Sequence, residues 1–155
     1  MAYVPFDNAE GIALRGHLLQ WLDDAGIAWA PIDVALCLDH PSALIVECTV
    51  EGTAVLLQHD LDERATQVRV TALLGALAPE DGDALLLRLL QTNFLTALRG
   101  HDPVLGLRDT DDAVCVTQAF TLHEPARDAF LMGLFHLAGL SSLWCDGRYL
   151  GGHVG

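Results

Sequence analysis

Four cysteines, seven histidines and two aspartate-rich tetrads are the residues of this 155-residue chain whose chemistry could go beyond packing. Cys37, Cys48, Cys115 and Cys145 stand 11, 67 and 30 positions apart, with no C-x-x-C pair. Metal and redox centres draw on close pairs, because two ligands from one turn pre-organise a site. Each cysteine lies in apolar sequence, where a reduced thiol serves as a small hydrophobe, and this usage fits a reducing, cytoplasmic compartment. No histidine sits three or four positions from another. Cys145 and His153 share a Gly-rich end, but neither a base nor an activating environment for the thiol is legible there. His59-Asp60-Leu61-Asp62 and Asp109-Thr110-Asp111-Asp112 could array oxygens around a cation. Both fall at expected hairpin turns, where aspartate is favoured because its side chain bonds the local backbone. Phosphate-binding glycine loops, G-x-S-x-G and H-E-x-x-H are absent from the sequence. The expectation is therefore no catalytic residue, no metal ligand and no cofactor, hence not an enzyme.

The elements around these residues follow from periodicity. Asp7 and Glu10 make a D-x-x-E capping signature for a helix that runs to about Asp24, with Gly26 as its stop. Leu14, Leu18, Trp21, Leu22 and Ala25 share one stripe of it, while Ile12 and Leu19 flank that stripe beyond Arg15. Ile32 to Leu38 is a short β-type run whose membership of a sheet stays open. Ala43 to Val50, a Glu51-Gly52 turn, Thr53 to His59 and Gln67 to Leu73 read as three antiparallel strands, with Val68, Val70 and Ala72 pointing inward. Asp81 and Asp83 open a second helix that ends at Arg99, with Gly100 as its cap. Val104 to Arg108 and Ala113 to Leu122 form a hairpin, and Glu124-Pro125 starts a last helix. The order α-β-β-β-α-β-β-α groups strands instead of alternating them with helices, which argues for an α+β fold with a twisted antiparallel sheet. One domain is expected over residues 1–155, its core about 9–145, with 146–155 as a flexible tail.

Charge removes whole classes of partner. There are 8 basic residues, all arginine, against 21 acidic ones, for a net charge of −13. Nucleic acid and anionic lipid each require a cationic patch. The N-terminal stretch lacks the basic and apolar regions of a secretory signal. Ala129 to Cys145, the longest uncharged run, has 17 residues, short of the roughly 20 a membrane span needs, and reads as a buried helix. What stands out is apolar surplus. Leu86, Leu87, Leu89, Leu90, Asn93, Phe94, Ala97 and Leu98 cover about half the circumference of the second helix, wider than the roughly 100° stripe one core requires. Part of that surface meets either a second copy of the chain or another element of the same domain. Sheet edges add unpaired backbone groups that can accept an extended segment.

Leu73-Leu74-Gly75-Ala76-Leu77-Ala78-Pro79, the Leu85 to Leu90 run with Asn93-Phe94, and Leu105-Gly106-Leu107-Arg108 ahead of the Asp-rich turn resemble the corresponding passages of the type III secretion chaperones of the Tir-chaperone (class I effector chaperone) family. The resemblance spans about residues 9 to 145, and residues 27 to 42 are longer than the family's usual link from first helix to first strand. It implies a homodimer in the bacterial cytoplasm that holds the N-terminal chaperone-binding region of a secreted effector extended until a secretion ATPase takes it, with no cofactor. On that footing Ile12, Leu18, Leu19, Leu22, Ile45, Val55 and Leu57 are the expected effector contacts, each equally compatible with a place in the core. Leu86, Leu90, Phe94 and Leu107 are the expected dimer contacts. The competing reading of the charge is an acidic inhibitor, or a nucleic-acid mimic, that binds a basic protein. A small enzyme or ligand-binding domain would instead need a polar-lined pocket.

Overall fold

A computed structural model describes residues 9–32, 43–61, 65–76, 82–98, 104–107, 113–123 and 126–145. The order is α1 (Ala9–Asp24), β1 (Trp29–Pro31), β2 (Ala43–Val50), β3 (Thr53–Asp60), β4 (Gln67–Ala76), α2 (Gly82–Leu98), β5 (Val104–Leu107), β6 (Ala113–Thr121) and α3 (Ala126–Cys145). All strands pair antiparallel in one six-stranded sheet of order β1-β2-β3-β4-β6-β5. The fold is α+β, as the grouping of strands predicts.

Local chemistry sets the element boundaries. At the end of α1 the Ile27 N–H donates to Leu22 O (2.9 Å) and the Gly26 N–H to Asp23 O (3.0 Å), while Gly26 holds φ 70°. This is a Schellman stop, sealed by Ile27 and Leu22 in the core. Glu51 (φ 50°) and Gly52 (φ 81°) turn β2 into β3 with positive φ at both central residues, the combination whose twist matches a tight hairpin.

Alternation then decides the two faces of the sheet. Val46, Cys48, Val50, Val55, Leu57, Val68, Val70 and Ala72 are buried on the inner face, joined by Leu14, Leu18, Trp21 and Leu22 of α1 and by Phe130, Leu134 and Leu137 of α3. Trp21 and Phe120 both contact Phe130, with ring centroids 5.8 and 5.7 Å apart, so one aromatic cluster joins α1, α3 and β6. Leu74 continues the inward alternation of Val68, Val70 and Ala72, and a register shift between Leu73 and Gly75 then sets Gly75 opposite the buried Val114. Gly75 sits at φ 152° beneath the Trp144 indole, a conformation that favours glycine.

Three expectations change. The strand after α1 lies at Trp29–Pro31, ahead of the Ile32 to Leu38 run, and of that run only Ile32 falls among the described residues, donating its N–H to Ile45 O (2.9 Å). A three-residue edge strand carries too little alternation to be read from sequence. The last helix is not buried all round: Met132, Phe135 and Leu143 are exposed. The third concerns Leu18, Leu22, Val55 and Leu57 of the expected effector contacts, whose side chains are taken up by the core. Leu18 and Leu22 lie on the same helical stripe as Leu14 and Trp21, and Val55 and Leu57 sit opposite Cys48 and Val46 on the inner face. The Asp109–Asp112 turn, Gly100, Pro125, Cys37, His153 and the 146–155 tail lie outside the described residues.

Candidate functional site

α2 is a helix with two working faces. Inward, Leu89 is buried and Leu86 packs against the core. Beside them Asn93 makes a bidentate contact with the edge strand: its Nδ2 donates to Leu105 O (2.7 Å), and the Leu105 N–H donates to its Oδ1 (2.8 Å). The side-chain amide thus stands where a neighbouring strand would be, closing the β5 edge at that residue. Outward, Leu87, Leu90 and Phe94 are 56%, 67% and 63% exposed at i, i+3, i+7 spacing. Val104 and Leu107 of β5 are exposed as well. Among the described residues nothing covers this face, so the wide apolar arc of the sequence is not an enclosed helix. Leu86 is the exception among the expected dimer contacts, because its side chain is partly taken up by the core.

A second apolar region is smaller. Ile12 on α1 is 58% exposed, and Leu19 is half-buried. Ile45 is half-buried on the outer face of the sheet, where Leu56 of β3 stands diagonally beside it. Leu56 is an apolar residue of this outer face that sequence reasoning did not single out. Within the continuous apolar run Ala54–Leu57 alternation does not show which parity faces out, and only the pairing register does. At the sheet edge, Ala28 and Ile32 bond toward β2. By alternation Trp29 and Pro31 turn their backbone groups outward, and Pro31 has no N–H to offer. Trp29 donates its indole N–H to Asp23 (2.9 Å) and, with Pro31, Glu47 and Thr49, lines a shallow cleft of about 370 Å³.

The chemistry-bearing residues are otherwise engaged. Burial, with the nearby Glu47 charge adding to it, pushes the Cys48 thiol up to about 11, so it stays protonated at neutral pH and is a poor nucleophile. Cys115 is half-buried. Among the described residues no three His, Cys, Asp or Glu side chains gather as metal ligands. No described helix is long and apolar enough to cross a membrane. His59, the first residue of the H-D-L-D tetrad, points into the core at 1% exposure. The Arg15 Nε–H donates to its Nδ1 (2.9 Å), Arg15 Nη2 donates to the His59 carbonyl (3.1 Å), and His59 Nε2 lies 2.7 Å from Ala65 O. A guanidinium only donates, so Nδ1 carries the lone pair and Nε2 the proton that reaches Ala65 O. Burial holds this imidazole below its ordinary value, and the Arg15 charge lowers it further. The Ala65 hydrogen bond and the Asp60 charge act the other way.

No family model and no curated relative matches the chain. Among solved structures, a chain from the HopA1–SchA chaperone–effector complex superposes with a TM-score of 0.60, over 93% of this chain and 99% of that one, at 14% identity. The fold is type III chaperone-like.

Proposed function

We propose that the protein is a type III secretion chaperone: a homodimer of the bacterial cytoplasm that binds the N-terminal region of a secreted effector and keeps it extended. The secretion ATPase is the receiving partner at delivery. The observation that carries this reading is the exposure of apolar side chains on two separate faces of an acidic chain with a chaperone-like fold. Leu90, Phe94 and Leu107 on the α2–β5 face serve the dimer. Ile12, Leu19 and Ile45, with Leu56, serve the client, whose ordering entropy is offset by apolar burial. The net charge of −13 keeps such a surface soluble through self-repulsion.

The test is co-expression with the N-terminal segment of a secreted effector encoded beside this chain. The expected result is a soluble complex that co-elutes and survives a rise to about 1 M salt, where the Debye length shrinks to roughly 3 Å. Failure to bind any unfolded N-terminal segment would sink the proposal. Binding confined to a folded basic protein and abolished by that salt would favour the acidic inhibitor instead.

Leu90→Asp tests the dimer face separately. Each interface would carry the change twice, at about 2 kcal/mol per desolvated anchor, so dissociation is expected to rise roughly 10³-fold. Light scattering should then give monomers with unchanged circular dichroism. A dimer that persists at micromolar concentration would refute this interface.

A further inference from the structure

The N-terminal half of α1 rests on the two ends of the β3–β4 connection at one place. Leu61 and Ala65 approach Gly11 so closely that a Cβ there would lie 2.9 Å from each side chain. One turn further on, Arg15 reaches His59, whose other ring nitrogen holds the Ala65 carbonyl. Through its ring and its carbonyl, His59 thus ties α1 to the end of β3 and to Ala65 just ahead of β4. The C-terminal half of α1 is held by different means: Leu18 and Leu22 are fully buried, Trp21 packs on Phe130, and Asp23 accepts from Trp29.

We propose that Arg15, His59 and Ala65 form a proton-operated latch, in which protonation of the His59 ring releases the N-terminal half of α1 from the β3–β4 connection while the C-terminal half stays packed. A proton added at Nδ1 turns the acceptor of the Arg15 bond into a donor and sets two cations side by side in a buried place. The Nε2–H bond to Ala65 survives, so the break falls on the Arg15 Nε–H bond, and as the two cations move apart the Arg15 Nη2 bond to the His59 carbonyl lengthens with it. Asp60, next to His59 on β3, is the other charged group acting on the ring among the described residues. It eases protonation but does not restore the lost acceptor.

The sign follows from the two states. Released, His59 titrates near the ordinary imidazole value of about 6.5, whereas latched it titrates lower. Opening therefore grows as pH falls through about 6.5 and levels off below the latched value. Ile12, three positions from Arg15 on the same helical face, lies in the half of α1 that the latch releases. The latch thereby sets the pose of the proposed client surface, a consequence that rests on the chaperone reading, whereas the latch itself does not.

Hydrogen exchange and histidine NMR on the free full-length chain test it. Between about pH 7.5 and pH 5.5, after correction for intrinsic rates, amides in the N-terminal half of α1 should open up to about tenfold more often, while those of Trp21 and Leu22 hold. The midpoint should coincide with the His59 ring titration. His59→Gln keeps one donor and one acceptor without a titrating ring, and should abolish the pH dependence. Arg15→Gln, which leaves His59 in place, should raise the ring's midpoint and also abolish the pH-dependent opening. Opening that persists in both variants, or a His59 titration with no change in α1 exchange, would overturn the latch. Because no client takes part, these outcomes are separate from those of the effector-binding test.

Discussion

Phe130→Ala is expected to lower unfolding free energy by about 3–5 kcal/mol, the usual range for emptying a buried phenylalanine site. Phe130 is fully buried, and its ring meets Trp21 at a 42° tilt and Phe120 edge-on at 87°. Removing it withdraws a partner from both rings, so the loss includes aromatic contact energy as well as transfer and cavity terms. A domain of this size has about 5–15 kcal/mol to lose, so the variant should sit near its unfolding threshold at physiological temperature. Urea denaturation checks this through the midpoint at unchanged slope. Phe135→Ala, at a position 40% exposed on the same helix, should cost under about 1 kcal/mol in the monomer. Equal losses at the two positions would contradict the packing described for α3.

Asn93→Ala is the second. It removes both bonds to Leu105 and leaves a half-buried N–H and C=O facing a cavity the size of an amide. Each bond contributes about 1 kcal/mol net, and stranded polar groups add to the loss, for a total of about 2–3 kcal/mol. The more telling readout is local. The Leu105 amide, protected by Asn93 Oδ1, should exchange far faster in the variant, and the uncovered β5 edge should raise self-association through strand pairing. Asn93→Asp separates the two bonds: it keeps the acceptor for the Leu105 N–H but presents an oxygen to Leu105 O, and its loss should be intermediate after screening. A protected Leu105 amide in Asn93→Ala would show that the side chain does not close this edge.

Much of the fold was legible because its determinants are local. Gly26 ends α1, Glu51-Gly52 turns the first hairpin, and the alternation of Val68, Val70 and Ala72 orients β4, each within a few residues. The candidate site was less legible. Leu18 and Ile12 are similar side chains on one helix, yet one is 1% and the other 58% exposed, and the difference lies in which face of the helix packs on the core. Val55, Leu56 and Leu57 are consecutive apolar residues whose in-or-out assignment flips with one step of register. The register shift after Leu73 sets Gly75 opposite Val114 without any warning in the pattern beyond Gly75 itself.

By itself the sequence determined a net charge of −13, the grouping of strands into an α+β order, and a second helix too apolar for one core. These are properties of composition and short-range period, which a chain carries before it folds. Only the tertiary structure decided that Asn93 closes the edge at Leu105, that Arg15 meets His59 across 44 positions, and that Leu90 and Phe94 remain exposed while Val55 and Leu57 do not. Each of those outcomes depends on which distant segment packs alongside. Sheet register and helix docking set that choice jointly, through many weak contacts that no single stretch of sequence contains.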